Sequence, residues 1–302
     1  MYLGVRQDSQ QDQTQAAQDH GSFKLYHYDP TIAGAVVILL LFIVTTVLHI
    51  WQLFRGRCYF ILPLAIGGIF EIMGYAARAK SGSESPDWTL GPYIIQSLLL
   101  LVAPALFAAT IYMQLGRIII LVQGESRALV RKKWLTKIFV TGDVLSFMLQ
   151  GGGGGYQASG TLDAMDTGSK AIIGGLFVQL IFFGVFIVIA IAFNLAIRKN
   201  PTAQSHTHAI WQKHMWALYI GSALIMVRSV FRAIEYLQGF DGYILNHEAY
   251  LYIFDAVLMF LTMALFNYVH PSEVMALIVK DERDHKMRDL HLYHERLQSD
   301  NR

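Results

Sequence analysis

Charged side chains are scarce in this sequence of 302 residues, at 15% of the total, whereas hydrophobic residues make up 54%. A soluble domain carries about 25% charged residues, so this chain lacks the charge to cover a surface that faces water. The net charge of +2 does not indicate nucleic-acid binding, because the basic residues lie in patches between apolar stretches. The composition predicts an integral membrane protein.

Cysteine is nearly absent as well. A single Cys58 excludes an internal disulfide framework and a cysteine-rich metal site. Because it stands beside Arg55 and Arg57 at a predicted helix end, we expect an interfacial thiol, with reversible palmitoylation as the alternative. No cofactor or bound metal is expected.

The first 27 residues lack the basic start and the apolar run of a cleavable signal peptide. They are rich in Gln and Asp, and such a segment cannot bury enough apolar surface to fold. We therefore expect a disordered polar tail over 1–27, a transmembrane domain over 28–272 and a charged cytosolic tail over 273–302. A solvated helix is expected in that last tail, with a partner-binding or degradation segment as the alternative.

Seven apolar runs are long enough to cross a bilayer, which needs about 20 residues per helix. The predicted fold class is all-α, a bundle of seven transmembrane helices. The predicted spans are 31–54, 59–79, 93–116, 135–157, 171–197, 214–238 and 248–270.

Lysine and arginine are distributed unequally between the two sides of these spans. Of the 24 residues, 17 lie on the side of the C-terminal tail, four lie on the opposite side and three lie inside spans. Basic residues favour the cytosolic side. The N-terminus is therefore predicted outside and the C-terminus in the cytosol.

Ionisable side chains within spans recur at a separation of seven residues, which is about two helical turns and places each pair on one helix face. The pairs are Glu71 and Arg78, Asp143 and Gln150, Arg228 and Glu235 (with Arg232 between them), and Glu248 and Asp255. A charge inside the bilayer is costly and usually faces the interior of a bundle. We expect four polar stripes around one interior, biased toward the outer leaflet, with Arg232 the most central cation.

Three roles for these residues stay open: a structural ion-pair network, a substrate-binding site and a proton relay. Glycine and proline suggest where the helices bend. The run Gly151–Gly155 is expected to end or loosen span four, and Pro104 is expected to kink span three.

Several short motifs recur in the order found in a known family. They are Glu71-x-x-Gly74-Tyr75-x-x-Arg78, Gln96 with Ala103-Pro104, Asp143-x-x-Ser146-Phe147-x-x-Gln150, Gly175-Leu176-x-x-Gln179, Arg228-x-x-x-Arg232-x-x-Glu235, and Glu248, Tyr252, Asp255 and His270-Pro271. In this order the chain resembles the fungal lipid-translocating exporter family of RTA-like seven-helix membrane proteins. The resemblance implies a fungal source and lipid-linked transport or stress resistance at the plasma membrane, with an endomembrane as the alternative.

Spacing and resemblance together predict a substrate-binding site or interior polar network. It consists of Glu71, Tyr75, Arg78, Gln96, Asp143, Gln150, Gln179, Arg228, Arg232, Glu235, Glu248, Tyr252 and Asp255. The expected ligands are membrane lipids or amphiphilic small molecules such as sphingoid long-chain bases, phospholipids or sterol-like compounds. No catalytic residue and no nucleic-acid partner is predicted, and nothing in the sequence indicates an oligomeric state.

Three functions compete. A translocator or exporter of amphiphiles is favoured, and the lack of a P-loop motif argues against direct ATP drive. A seven-helix lipid-sensing receptor would share the same topology and pocket. A metal-dependent membrane hydrolase would need clustered ligands, but His49, His214 and His270 lie near predicted cytosolic helix ends, away from the interior carboxylates.

Overall fold

Helices account for all the regular structure in the part of the chain described by the computed structural model, which covers residues 28–157, 161–239, 242–244 and 246–300. The expected tail over 1–27 lies outside these residues. We number the eight long helices along the chain: α1 Ile32–Gly56, α2 Leu62–Ser83, α3 Leu90–Leu121, α4 Lys132–Gln157, α5 Leu162–Lys199, α6 Ile210–Gln238, α7 over 248–268 and α8 Ser272–Asp300.

Among the described residues, six segments are long and apolar enough to cross a membrane. They are α1, the segment Tyr59–Ser83 that contains α2, α3, α5, α6 and the segment that begins with α7. The chain is thus a polytopic helical membrane protein, as the composition predicts. The helix α4 lies where span four was predicted but is not among the six. Its glycine run, Asp143 and Gln150 lower its mean hydropathy.

The outward faces of the helices are apolar, as expected for a protein solvated by lipid. On α1, Val44 and Val47 are each 58% exposed, and on α5 Ile181 and Val188 are 62% and 63% exposed. Polar side chains such as Glu71 are instead among the buried residues. This reversal of the pattern of a soluble protein agrees with the high cost of a charge that faces hydrocarbon.

Neighbouring helices pack closely where glycine permits it. On α2, a Cβ added at Gly67 would lie 2.6 Å from the ring of Phe107 on α3. On α4, a Cβ at Gly153 would lie 2.6 Å from the carbonyl oxygen of Gly168 on α5. Small residues at such points let backbones approach each other.

One expectation about a helix break is wrong, and the kink at Pro104 stays a prediction. The run Gly151–Gly155 does not end its helix, since α4 continues through it to Gln157. The close contact between Gly153 and α5 accounts for the helical conformation, because packing outweighs the low helix propensity of glycine. Pro104 lies buried within α3, which continues to Leu121.

Two local features lie beyond the predicted pattern. In α7 the segment Tyr252–Val257 is a π-helix between the α-helical segments Glu248–Leu251 and Leu258–Tyr268. The helix α5 begins nine residues before the predicted position 171, where the Thr161 side chain accepts a hydrogen bond from the amide of Ala164 at 3.2 Å. A threonine in this position stabilises a helix start.

Candidate functional site

One end of the bundle, which we call the Tyr28 end, contains a group of contacts around Arg78. Its side chain is fully buried on α2, and its Nη2 lies 2.7 Å from Glu248 Oε1 at the start of α7. The same nitrogen donates to the Tyr28 hydroxyl at 2.9 Å, and Nε donates to the Tyr252 hydroxyl at 3.2 Å. Arg78 therefore links α2 to α7 and to the segment before α1.

Glu248 completes this group. Its carboxylate accepts hydrogen bonds from the amide of Thr31 at 2.9 Å and from the Thr31 hydroxyl at 2.5 Å. Burial raises the pKa of the Tyr28 hydroxyl above its usual range, against the opposing effect of Arg78. The phenol thus stays neutral and accepts the hydrogen bond from the guanidinium.

A second ion pair joins α6 to α7 deeper in the bundle. Arg228 Nε donates to Asp255 Oδ1, and Nη2 donates to the carbonyl oxygen of Leu100 on α3 at 2.7 Å. Both charged side chains are 3% exposed. Glu71 lies within electrostatic range of both of them. Three helices thus place two acids and one arginine in one buried cluster.

Part of this cluster lacks hydrogen bonds. Within the described residues, Glu71 Oε1, Asp255 Oδ2 and the Tyr75 hydroxyl are buried without a partner. The Tyr75 ring stacks between Phe42, at 5.7 Å between centroids, and Tyr252, at 6.4 Å. Buried polar groups are nearly always satisfied in stable folds, so such groups call for a functional explanation.

The third arginine forms its ion pair within one helix. Arg232 Nη1 lies 2.7 Å from Glu235 Oε2, three residues further along α6. The expectation that Arg232 is the central cation is therefore wrong. Arg228 occupies that place, because its position on α6 faces both α3 and α7.

On α4, the predicted stripe packs against α5 and does not join the ion pairs. Gln150 donates to Ser146 at 2.5 Å and to Gln179 at 3.2 Å, and Ser146 donates to the carbonyl oxygen of Gly175 at 2.7 Å. Gln96 is buried on α3. These contacts explain the polar residues on α4 largely as an interhelical amide cluster.

Asp143 is buried on α4, about one helical turn before Ser146 of this amide cluster. It faces Tyr112 on α3, whose ring lies 4.6 Å from Phe186. Neither carboxylate oxygen finds a hydrogen bond of ordinary geometry in the described part of the chain. Asp143 is therefore an acid in aromatic surroundings, separate from the ion pairs of α2, α6 and α7.

A cavity of about 200 Å³ lies where α3, α4, α5 and α6 meet. Arg232 and Gln150 both line it, so the stripes of α4 and α6 meet there. Its other lining residues are Leu90, Tyr93, Ile94, Ser97, Leu98, Leu101, Gly151, Gly154, Gly155, Gln157, Ile172 and Tyr236. Leu90, Ile94 and Leu98 are between 37% and 46% exposed on the outside of α3, so the cavity opens sideways toward the lipid.

The opposite end of the bundle, which we call the His214 end, contains the buried residues His49, His214 and His270. Nδ1 of His214 lies 3.1 Å from Gln114 Nε2, and Nε2 lies 3.2 Å from Glu273 on α8. Nε2 of His49 lies 3.0 Å from the carbonyl oxygen of Met263. In the ranges that the structure covers, no group of three or more His, Cys, Asp or Glu could hold a metal ion.

Cys58 differs from the interfacial thiol that was expected. It is 1% exposed, and this burial raises the pKa of the thiol to about 12. A thiolate is the reactive form. Neither its position nor its chemistry favours palmitoylation.

Sequence reasoning missed several residues of these groups. Tyr28 and Thr31 hold the Arg78 group together, and the carbonyl of Leu100 receives Arg228. A tyrosine at a span boundary is common at membrane interfaces, and a backbone carbonyl carries no sequence signal. These partners could be found only once the helices were placed.

Comparison with known proteins agrees with this architecture. The family described as "RTA1 like protein" matches residues 64–277. Over 283 residues the chain is 37% identical to "Protein RTM1" of Saccharomyces cerevisiae, covering 81% of this chain and 90% of that protein. It is 39% identical over 280 residues to "Protoporphyrin uptake protein 1" of the same species, covering 81% and 91%.

A more distant relative carries the name of a lipid transporter. "Sphingoid long-chain base transporter RSB1" of Saccharomyces cerevisiae is 23% identical over 277 residues, covering 80% of this chain and 72% of that protein. No solved structure matches the chain. The family match spans α2 to α7, which carry most of the buried polar groups described above, and the chain therefore belongs to the RTA1-like family of membrane proteins.

Proposed function

We propose that this protein translocates lipids or other amphiphiles across its membrane and so exports them. The cavity between α3, α4, α5 and α6 is the observation that carries this proposal. It brings the guanidinium of Arg232, whose side chain is 12% exposed, to an opening beside apolar side chains on the outside of α3. An amphiphile has the same division between a polar head and an apolar chain.

The relatives support the general class of function. One is named for the uptake of protoporphyrin and another for the transport of sphingoid long-chain bases. Both names denote movement of an amphiphilic molecule. For this chain the candidate substrates remain sphingoid bases, phospholipids and sterol-like compounds, and the plasma membrane is the proposed location.

The same proposal includes seven spans, with the N-terminus outside and the C-terminus in the cytosol. The supporting observation is the outer face of α4, where Val144, Leu145 and Met148 are 49%, 50% and 67% exposed. A helix of 26 residues is about 39 Å long, which exceeds the thickness of the hydrocarbon core. Asp143 and Gln150, which lower the mean hydropathy of α4, are buried.

Lipid movement in vesicles that contain the purified full-length protein tests this function. Fluorescent lipid on the inner leaflet is followed as it becomes accessible to an impermeant quencher, with and without a pH or voltage gradient. Faster redistribution than in protein-free vesicles supports the proposal. Binding of the lipid without any movement would instead favour a lipid-sensing receptor.

Two glycines of α4 provide a matched pair of variants for this assay. A Cβ at Gly154 or at Gly152 meets no atom within 4 Å, but only Gly154 lines the cavity. We expect Gly154→Leu to fill the cavity and stop movement, and Gly152→Leu to leave it unchanged. Equal activity of both variants would remove the cavity from the mechanism.

A further inference from the structure

The charge of the cavity points to one class of headgroup. Arg232 is the single ionisable side chain with a charge at neutral pH among the described lining residues, and no Asp or Glu is among them. The other polar lining groups are the amides of Gln150 and Gln157 and the hydroxyls of Ser97, Tyr93 and Tyr236. Gln157 and the three hydroxyl groups can donate hydrogen bonds, whereas both N–H groups of Gln150 are already donated to Ser146 and Gln179.

The guanidinium of Arg232 has spare hydrogen-bonding capacity. Its Nη1 is paired with Glu235, but in the described part of the chain its Nε finds no acceptor. A planar guanidinium binds carboxylate or phosphate through two parallel hydrogen bonds. The carboxylate of Glu235 is engaged by Arg232 and does not line the cavity, so an ammonium headgroup in the cavity would meet the guanidinium and no carboxylate of the described residues.

The size of the cavity limits how much of a ligand it encloses. At about 200 Å³ it is smaller than the roughly 300–1,000 Å³ of sites that enclose a whole drug-sized ligand. Leu90, Ile94 and Leu98 follow one another at intervals of four residues along one face of α3 and are exposed to lipid. A single chain can therefore lie along this face while its headgroup occupies the cavity.

From these observations we propose that the cavity binds the anionic headgroup, phosphate or carboxylate, of a single-chain amphiphile whose chain extends along α3 into the bilayer. This assignment rests on the function proposed above, because it names the substrate class of the same cavity. It replaces the sphingoid-base and sterol-like candidates for this cavity with an anionic amphiphile. The binding partner of the headgroup is Arg232. Gln157 can supply a further hydrogen bond, because only one N–H of its amide is donated to the carbonyl oxygen of Met165.

Equilibrium binding to the full chain in neutral nanodiscs tests this assignment without any need for transport. The probes are dodecyl phosphate, dodecanoate, dodecyltrimethylammonium and inorganic phosphate. We expect both anionic amphiphiles to bind at least about tenfold more tightly than the ammonium, the difference that one or two charge-assisted hydrogen bonds supply. Inorganic phosphate should bind far more weakly, since it lacks the chain.

Three variants separate the headgroup contact from general charge. Arg232→Gln is expected to abolish the preference for the anions. Arg198→Gln removes the same charge at an exposed position at the far end of α5 and should retain the preference. Glu235→Gln releases Arg232 from its ion pair and should strengthen anion binding, which gives an independent result if Arg232→Gln does not fold.

Several results would overturn the assignment. They are equal or tighter binding of the ammonium, an unchanged preference in Arg232→Gln, or binding of inorganic phosphate as tight as that of dodecyl phosphate. Failure of this inference is distinct from failure of the proposed function. Lipid movement without a preference for anions would support the proposed translocation and contradict the anionic headgroup. Binding of anions without movement would support the headgroup and contradict translocation.

Discussion

Arg228 on α6 donates a hydrogen bond to Asp255 on α7, and both side chains are almost completely buried. The pair crosses between two helices, unlike the pair of Arg232 and Glu235 within α6. It lies beside Glu71, a second acid that lacks a hydrogen-bond partner on one oxygen within the described residues. The guanidinium of Arg228 is thus the charged contact between α6 and α7, beside the stacked rings of Phe231 and Phe254 at 4.6 Å between centroids.

Replacement of Arg228 should therefore be far more damaging than replacement of an exposed arginine. Arg228→Met leaves Asp255 buried without its cation, a change that costs about 3–5 kcal/mol. We expect a matching loss of resistance to denaturation by SDS for the purified protein. The double variant Arg228→Met, Asp255→Leu should recover part of that loss, because no unpaired charge remains. Similar stability of Arg228→Met and wild type would contradict the ion pair.

The Arg78 group gives a test of geometry with the charge kept constant. Arg78→Lys retains the positive charge but cannot reach Tyr28, Tyr252 and Glu248 at once, because an ammonium lacks the guanidinium fork. We expect a loss of about 1–3 kcal/mol, measured by thermal unfolding in detergent. As the control, Lys80→Ala removes an exposed lysine 3.8 Å from Glu84 and should change stability by less than about 1 kcal/mol.

Asp143 is the residue we expect to separate binding from movement. Asp143→Asn keeps the volume of the side chain and removes its charge, and Asp143 does not line the cavity. Ligand binding should therefore persist, while lipid movement in vesicles falls close to the rate without protein. Tyr112→Phe removes the hydroxyl that faces Asp143 and serves as the partner variant. Normal movement by Asp143→Asn would exclude the acid from the translocation route.

Cys58 should be unreactive in the folded protein. Since burial raises its pKa from 9.0 to about 12, maleimide at pH 7–8 is expected to label it only after unfolding in SDS. The control is a Cys58→Ala protein with Ser126→Cys, whose position is exposed. Rapid labelling of native Cys58 would contradict its burial.

The same thiol has a pH dependence of defined sign. The folded state favours the neutral thiol of Cys58. The contribution of this thiol to the free energy of unfolding is therefore fully present below pH 9.0 and decreases as the pH rises toward about 12. Cys58→Ala should lose less stability than wild type between these limits.

Topology offers a further test of the proposed seven spans. A tag at residue 1 should be accessible on intact cells, and a tag after Arg302 should be accessible only after permeabilisation. A single cysteine introduced at Gln157, in the Cys58→Ala background, should react from the same side as the first tag. If both terminal tags react on intact cells, an even number of spans is indicated.

The spans themselves could be predicted because the bilayer imposes a length on apolar runs. The helices α1, α3 and α6 begin and end within a few residues of the predicted runs. The partners of the buried charged residues in ion pairs could not be predicted in the same way. Seven-residue spacing predicts that Glu248 and Asp255 lie on one helix face, but each binds an arginine from a different helix.

The conformation of the glycine run was a second feature that could not be predicted from the sequence. The run Gly151–Gly155 has a low intrinsic preference for helix, and nothing in the sequence shows that Gly168 will lie against Gly153. The π-helix over Tyr252–Val257 likewise has no signature in its residues. The contact between Gly153 and Gly168 joins two helices, and the residue pattern of a single segment does not contain such contacts.

That π-helix sets the rotational phase between the two acids of α7. Glu248, before it, reaches α2, and Asp255, inside it, reaches α6. If the wide turn tightened to an ordinary α-turn, everything on one side of it would rotate by about 100° relative to the other side. Glu248 and Asp255 could then no longer engage both arginines at once. The two ion pairs therefore constrain the winding of α7 together, and loss of either pair would remove that constraint.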